Sequence, residues 1–210
     1  VLNLTGSIES EIRNRIAAGW RMFWSMKRAL LNKKVSFARR LRLFDTTVGS
    51  CVTWCCESWA PRVSDLRQLE SARRAMLRKI VYTGRAPGEE WVQWIQRATH
   101  KAIDFSRTVG VREWAAWHFK QKWTWAGRIA RHDFTSLLSR VTTWRDSAWQ
   151  SSWSEMGGPR EMRPFKRRWT KWEDPLRRFC QESGLTQWQD LATSRDQWLQ
   201  HVDNFHSWSA

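Results

Sequence analysis

The 210-residue chain is poor in the residues that interrupt helices or staple small folds, with ten Gly, five Pro, four Cys and one Tyr. So little Gly and Pro, with no low-complexity tract and no repeat of fixed period, argues for continuous helices. No five-residue alternating run marks a strand. Cys51, Cys55 and Cys56 are crowded together and Cys180 stands far off, which is not a disulfide framework. Free, mostly packed thiols in a reducing compartment are expected, hence an intracellular location, nuclear or cytoplasmic, and no secretion. Long apolar runs are missing too. The longest stretch without a charged side chain is eleven residues, Thr46 to Cys56, against the roughly 20 apolar residues of a transmembrane helix. No membrane partner is expected. Val1-Leu2-Asn3-Leu4-Thr5 shows neither a basic n-region nor a cleavage pattern, and the missing initial Met makes a fragment of something longer the expectation.

Acid is also scarce. Asp and Glu number 20 against 36 Lys and Arg, giving a formal charge of +16 and a pI near 10.9. Residues 1–62 hold 11 bases and 4 acids, residues 63–108 hold 9 and 5, residues 109–145 hold 7 and 2, and residues 146–210 hold 9 of each. The excess therefore lies in the first 145 residues. Beyond them, Arg160 to Arg178 is basic and Glu182 to Asp203 acidic apart from Arg195. Met156-Gly157-Gly158-Pro159 is the strongest breaker. It divides an expected basic helical domain, 1–155, from a smaller, looser helical segment, 156–210.

Apolar spacing predicts the helices. From candidate cap Ser7, residues Ile8, Ile12, Ile16, Trp20, Phe23 and Leu30 recur at helical steps. A second helix is predicted from Ser36 through Phe37, Leu41, Phe44, Val48, Val52, Cys55 and Trp59, with Pro61 after its end. A third starts near Ser64, carries Leu66, Leu69, Met76, Leu77 and Ile80 on its face, and stops before Gly84. A fourth carries Trp91, Ile95, Ala98, Ala102 and Phe105 and ends before Gly110. Weaker helical periodicity runs from Arg112 to Trp153. The expected class is all-α.

Charge on these helices is one-sided. Arg39 and Arg42 point away from the second helix's apolar stripe, and Lys33, Lys34 and Arg40 add charge around the preceding turn. Arg67, Arg74 and Arg78 form a narrow basic stripe on the third helix. Such a stripe is the footprint of a phosphate binder, although the ordinary reading of any single arginine is a solvated face. Arg73 lies inside its helix's apolar sector, so it is expected to snorkel or to pair with an acid at a packing seam. The densest basic–aromatic patch is Lys120, Lys122, Trp123, Arg128 and Arg131. There Trp123 could stack bases or pack internally, and Trp125 is expected to pack a helix crossing beside Gly127. Trp20, Trp59, Trp91, Trp94, Trp169, Trp188 and Trp198 read as packing residues among the 18 Trp.

Catalytic patterns are not found. The cysteines have no His or second Cys pair at zinc-ligand spacing and read as small core residues. His132-Asp133 has no companion ligand, and His100, His118, His201 and His206 are isolated. Glu89-Glu90 and Glu173-Asp174 read as helix-start or surface acids. No glycine loop cradles a phosphate and no Gly-x-Ser-x-Gly occurs. No cofactor is expected in this chain.

The order of short motifs carries a resemblance. Gly6-x5-Ile12-x2-Arg15-Ile16-Ala17-x2-Trp20 precedes Arg42-Leu43-Phe44, then Trp54-Cys55-Cys56-Glu57-Ser58-Trp59. The run from Leu69 to Ile80 follows. Trp123-Thr124-Trp125-Ala126-Gly127-Arg128 comes next, then Lys166-Arg167-Arg168-Trp169 and finally Trp188-x2-Leu191-Ala192-x2-Arg195-x2-Trp198. This succession resembles the region just after the palm of non-LTR (LINE-type) retrotransposon reverse transcriptases, over nearly the whole chain. Two departures stand out: the family's Tyr-Gly is Trp54-Cys55 here, and its Gly-His is Gly127-Arg128, which exchanges a titratable ring for a fixed charge. Those enzymes place paired aspartates in a [YF]-x-D-D turn to hold two metal ions. No Asp-Asp occurs in this chain.

The resemblance therefore implies a helical thumb and connection, with the palm and its magnesium upstream. It implies a grip on a template–primer duplex of RNA or DNA through phosphate contacts, by Lys166, Arg167 and Arg168 as well as the basic residues above. The palm of the same polyprotein would be its other partner. A degenerate or domesticated remnant, its Trp-rich helices meeting protein partners, is the alternative. A membrane-surface protein is less consistent with helices that each carry a core stripe.

Overall fold

Helices make up every element of the computed structural model, which describes residues 8–132 and 172–208; no strand occurs among the described residues. The all-α expectation holds. The chain divides into two compact units, Val1–Lys122 with His206–Ala210, and Trp123–Phe205. The breaker at Met156 to Pro159 and the cap candidate Ser7 lie outside the described residues.

In the first unit, α1 (Glu9–Ser25) starts with Glu9 and Glu11, acids that the positive end of the helix dipole favours. Each pairs with an arginine one turn on: Glu9 with Arg13, and Glu11 with Arg15 at 2.6 Å. The helix breaks at Met26, so α2 (Lys27–Leu30) is a separate turn where periodicity predicted continuity. Gly19 is where α1 meets Val52, since a Cβ there would stand 2.5 Å from the Val52 Cγ2. Only glycine permits that approach.

The second predicted helix is shorter and more varied than its apolar stripe implied. It runs as α3 (Phe37–Phe44), a π-helical turn (Asp45–Gly49) and α4 (Ser50–Val52). Arg112 reaches this turn from far along the chain. Its guanidinium donates to both Asp45 carboxylate oxygens at 3.0 and 2.9 Å, to the Asp45 carbonyl at 2.7 Å, and to the Ser50 hydroxyl at 3.2 Å. The helix does not continue to Trp59. Cys55 takes a left-handed conformation (φ 53°), a 3₁₀ turn (Cys56–Ser58) follows, and the chain bends to bury Trp59 against the His118 ring at 6.0 Å. Cys55 is consequently exposed rather than part of the core; Cys51 is half-buried, while Cys56 and Cys180 are buried.

The helix α5 (Val63–Val81) is capped by Asp65, which accepts the Arg62 N–H at 2.9 Å. Its buried row, including Leu69, Met76, Leu77 and Ile80, packs on α1, α3 and α6 (Trp91–Val109). Gly110 (φ 79°) ends α6, and the Val111 N–H returns to the Ser106 carbonyl at 2.8 Å. Within this core Phe44 lies between Phe23 and Trp114, ring centroids 6.5 and 5.9 Å away. Each such buried ring stabilises the fold by about 1.5–3 kcal/mol. Arg73 behaves as its sector predicted: 2% exposed, it donates to Glu70 at 2.6 Å. Glu70 also accepts the Ala115 N–H at 2.9 Å, at the start of α7 (Trp114–Arg131).

The second unit takes α7 from Trp123 onward. It adds α8 (Asp174–Glu182), α9 (Trp188–Thr193), α10 (Arg195–Gln200) and the part of α11 (Val202–Trp208) up to Phe205. Its centre is aromatic. Trp123 stacks on Trp198 at 3.7 Å and 5°, and Phe179 and Phe205 close the cluster at 5.4 and 4.7 Å from Trp123. The space beside Gly127 is filled by Trp198, not Trp125, because a Cβ on Gly127 would fall 2.7 Å from the Trp198 Cδ1. Trp125 packs edge-on against Trp172 at 5.1 Å. Trp59, Trp188 and Trp198 are buried as expected, Trp20 and Trp94 are half-buried, and Trp91 is exposed.

Candidate nucleic-acid interface

Helix α5 shows how the excess charge becomes one-sided. Its two carboxylates are used inside: Asp65 is 3% exposed and caps the helix, and Glu70 serves Arg73 and Ala115. What the helix leaves outside is Arg67, Lys79, the apolar Val63 at its start and the neutral Ser64, Gln68 and Ser71, with Arg74 and Arg78 half-buried beside them. Among the described residues no carboxylate lies within ion-pair distance of Arg67, Arg74 or Arg78. Arg78 is held in place by the Thr99 hydroxyl of α6 at 3.0 Å. Burial, and then the like charge of Arg74, push Arg78 below the ordinary arginine range. Two guanidiniums one turn apart with no acid between them repel each other, and an external anion would relieve that.

The remaining predicted residues divide by burial. Lys33, Lys34, Arg39 and Arg42 are exposed, and the last two have no ion-pair partner among the described residues. Arg40 does not belong with them. At 4% exposure it points inward and donates to the carbonyls of Val35 (3.0 Å), Leu30 (3.4 Å) and Ile80 (2.8 Å), with its guanidinium 4.5 Å from the Phe37 ring. The sequence groups Arg40 with Lys33 and Lys34 around the preceding turn; spacing cannot foresee three carbonyls that need a fork of donors.

The basic–aromatic patch expected around Trp123 is corrected in two members. Lys122 is fully buried and donates to the Trp59 carbonyl at 2.6 Å, and Trp123 is fully buried in the second unit's aromatic cluster. Lys120 and Arg128 are exposed, and Arg131 donates to the Ala192 carbonyl at 3.0 Å, closing the C-terminal end of α9. Lys166, Arg167 and Arg168 lie outside the described residues.

Sequence reasoning missed two exposed aromatics in the first unit, Trp24 and Tyr82, each with a lysine ammonium near its ring. A cue was available in the distribution of acids. Neither residues 12–44 nor residues 71–88 contain an Asp or Glu, and they hold ten and five Lys and Arg.

The other titratable groups are structural. Glu89 accepts from Arg97 at 2.8 and 2.7 Å and from the Ala86 N–H at 2.9 Å, bonds that lower its carboxyl to about 2. Burial, with Glu57 beside it, pushes the Cys56 thiol up to about 12, and burial pushes Cys180 up to about 11. Neither is a poised nucleophile. Among the described residues no cluster of His, Cys, Asp and Glu could hold a metal, and no helix is long and apolar enough to cross a membrane.

Comparison with known proteins yields one clear likeness. The chain is similar to a transposon-derived protein. That relative, an uncharacterized protein of Caenorhabditis elegans, is 26% identical over 206 positions, covering 94% of this chain and 66% of the relative. The chain thus spans just under two thirds of its relative's length, and the likeness supports a transposon-related origin. No protein-family profile and no solved structure matches the chain.

Proposed function

We propose that this chain is a non-catalytic, nucleic-acid-binding helical module, the post-palm part of a LINE-type RNA-directed DNA polymerase. The observation that carries the reading is the outward face of α5, whose charged side chains are all basic because both its carboxylates are used inside the fold. The transposon-derived relative and the order of motifs support the same origin. Polymerisation would take place in a palm elsewhere in the protein, where the divalent metals and nucleotides would bind. A grip of this kind must accept any sequence and let the duplex slide, which fits phosphate-directed guanidiniums on rigid helices better than base-reading side chains. The site of action is intracellular, wherever the element's RNA and target DNA meet.

The test is binding of the full chain to a fluorescent RNA–DNA duplex across a salt series. Neutralising three phosphates gives a slope of about −3 in log affinity against log salt. Replacing Arg67 and Arg74 together by Gln should flatten that slope by about 2 without changing the melting temperature. A slope near zero in the parent chain, or affinity unchanged in the double variant, overturns the assignment. Retained folding with no affinity for any nucleic acid would favour the alternative, a protein-interaction module using exposed Trp54 and Trp91.

A further inference from the structure

The C-terminal ends of α1 and α5 form a second surface, different in chemistry from the arginine stripe. Trp24 at the end of α1 is 46% exposed, and Tyr82, just past α5, is 66% exposed. The Lys79 ammonium of α5 lies 5.4 Å from the Trp24 ring, and that of Lys33, in the turn after α2, lies 5.2 Å from the Tyr82 ring. The two pairs cross between elements, so α1, α5 and the turn meet in one patch. Buried Arg40 anchors it from below by bonding both Leu30 and Ile80, the last residue of α2 and a residue in the last turn of α5.

Three observations bear on what the patch binds. The two segments that build it, 12–44 and 71–88, contain no acid at all. Both rings stay partly open to solvent, Trp24 while also stacking on Trp20 at 6.1 Å. Tyr82 also holds φ 28°, a backbone conformation that glycine would adopt with less strain. Flat rings between flexible cations suit a ligand that presents alternating bases and phosphates. A duplex does not qualify, because its bases are already stacked and its outer surface is phosphate and sugar.

We propose that Trp24, Tyr82, Lys33 and Lys79 form a single-strand site, in which the rings stack unpaired bases and the lysines contact the adjoining phosphates. It rests on the nucleic-acid reading above and divides the labour: Arg67, Arg74 and Arg78 hold duplex phosphates, and the ring pair holds an unpaired segment.

Anisotropy titrations of the full chain with a labelled single strand of about 12 nucleotides, and separately with an RNA–DNA duplex, test the division. Tyr82→Ala should weaken single-strand binding by about fivefold or more and leave duplex affinity unchanged, and Tyr82→Phe should restore it. Replacing Lys33 and Lys79 by Gln should reduce the single-strand salt slope by about 1.4. Circular dichroism melts confirm that each variant folds. Single-strand affinity unchanged in Tyr82→Ala, or lost equally for both ligands, overturns the site. Duplex binding with no single-strand binding defeats this inference alone, whereas absence of both defeats the nucleic-acid reading with it.

Discussion

Trp123 and Trp198 hold each other by a reciprocal exchange. The Trp123 indole N–H donates to the Trp198 carbonyl at 3.0 Å, and the Trp198 indole N–H donates to the Trp123 carbonyl at 3.1 Å, while the rings stack face to face. Each buried indole thus satisfies its donor with the backbone of the residue it stacks on. The arrangement requires Gly127, one turn after Trp123, to leave room for the second ring.

From that geometry, Trp198→Ala should destabilise the second unit by about 3–5 kcal/mol, through lost area and a cavity. Gly127→Ala should cost about 1–3 kcal/mol by overpacking against a ring with no space to retreat. Guanidinium denaturation followed by near-UV circular dichroism measures both. A Gly127→Ala protein with an unchanged midpoint would contradict the close packing.

Arg40 and Arg39 are adjacent in sequence and opposite in role. Arg40→Gln strips donors from buried carbonyls and should lower stability by about 2–3 kcal/mol. Arg39→Gln should leave the melting temperature within a degree or so and reduce the duplex salt slope by about 0.9 if Arg39 faces a phosphate. The inverse pattern would return Arg40 to the surface.

His118 lies fully buried with its ring 2.7 Å from the Cys56 carbonyl, to which its Nδ1–H donates. Burial, then the Lys122 charge one turn along α7, hold the imidazole well below its ordinary range, so it is neutral in the fold. Below about pH 6.5 the unfolded chain therefore binds a proton that the folded chain does not, and stability falls as pH drops. The slope from this group approaches about 1.4 kcal/mol per pH unit. Urea denaturation at pH 5 and pH 7 should show the loss, and His118→Gln should narrow the gap between the two midpoints.

The π-helical turn at Asp45–Gly49 depends on a contact from far along the chain. Arg112→Ala leaves the part-buried Asp45 carboxylate without its partner and should cost about 2–3 kcal/mol. Hydrogen exchange should locate the loosening to residues 45–52. Faster exchange confined to α6 instead would assign the clamp elsewhere.

Much of this architecture was legible in advance because helix formation is a local affair. The spacing around Leu69, Met76 and Ile80 predicted α5, and Gly84 and Gly110 marked where helices stop. Arg73 was legible too, since a charge inside an apolar sector has few options besides an internal acid. The route of the chain past Val52 was not, because bending at Cys55 is driven by a distant requirement, the burial of Trp59 against His118. Periodicity carries no trace of such a partner.

Sequence by itself determined that the protein is helical, strongly basic and equipped with long acid-free segments. Those properties follow from residue spacing and from charges that simply add. Tertiary structure decided which charges matter: Arg40 and Lys122 turned inward to buried carbonyls, Asp65 and Glu70 were drawn in to helix ends, and Arg67 was left facing solvent with Arg74 and Arg78 half-buried beside it. Whether a cation faces water or a carbonyl is settled by the elements packed beside it, and those come from elsewhere in the chain.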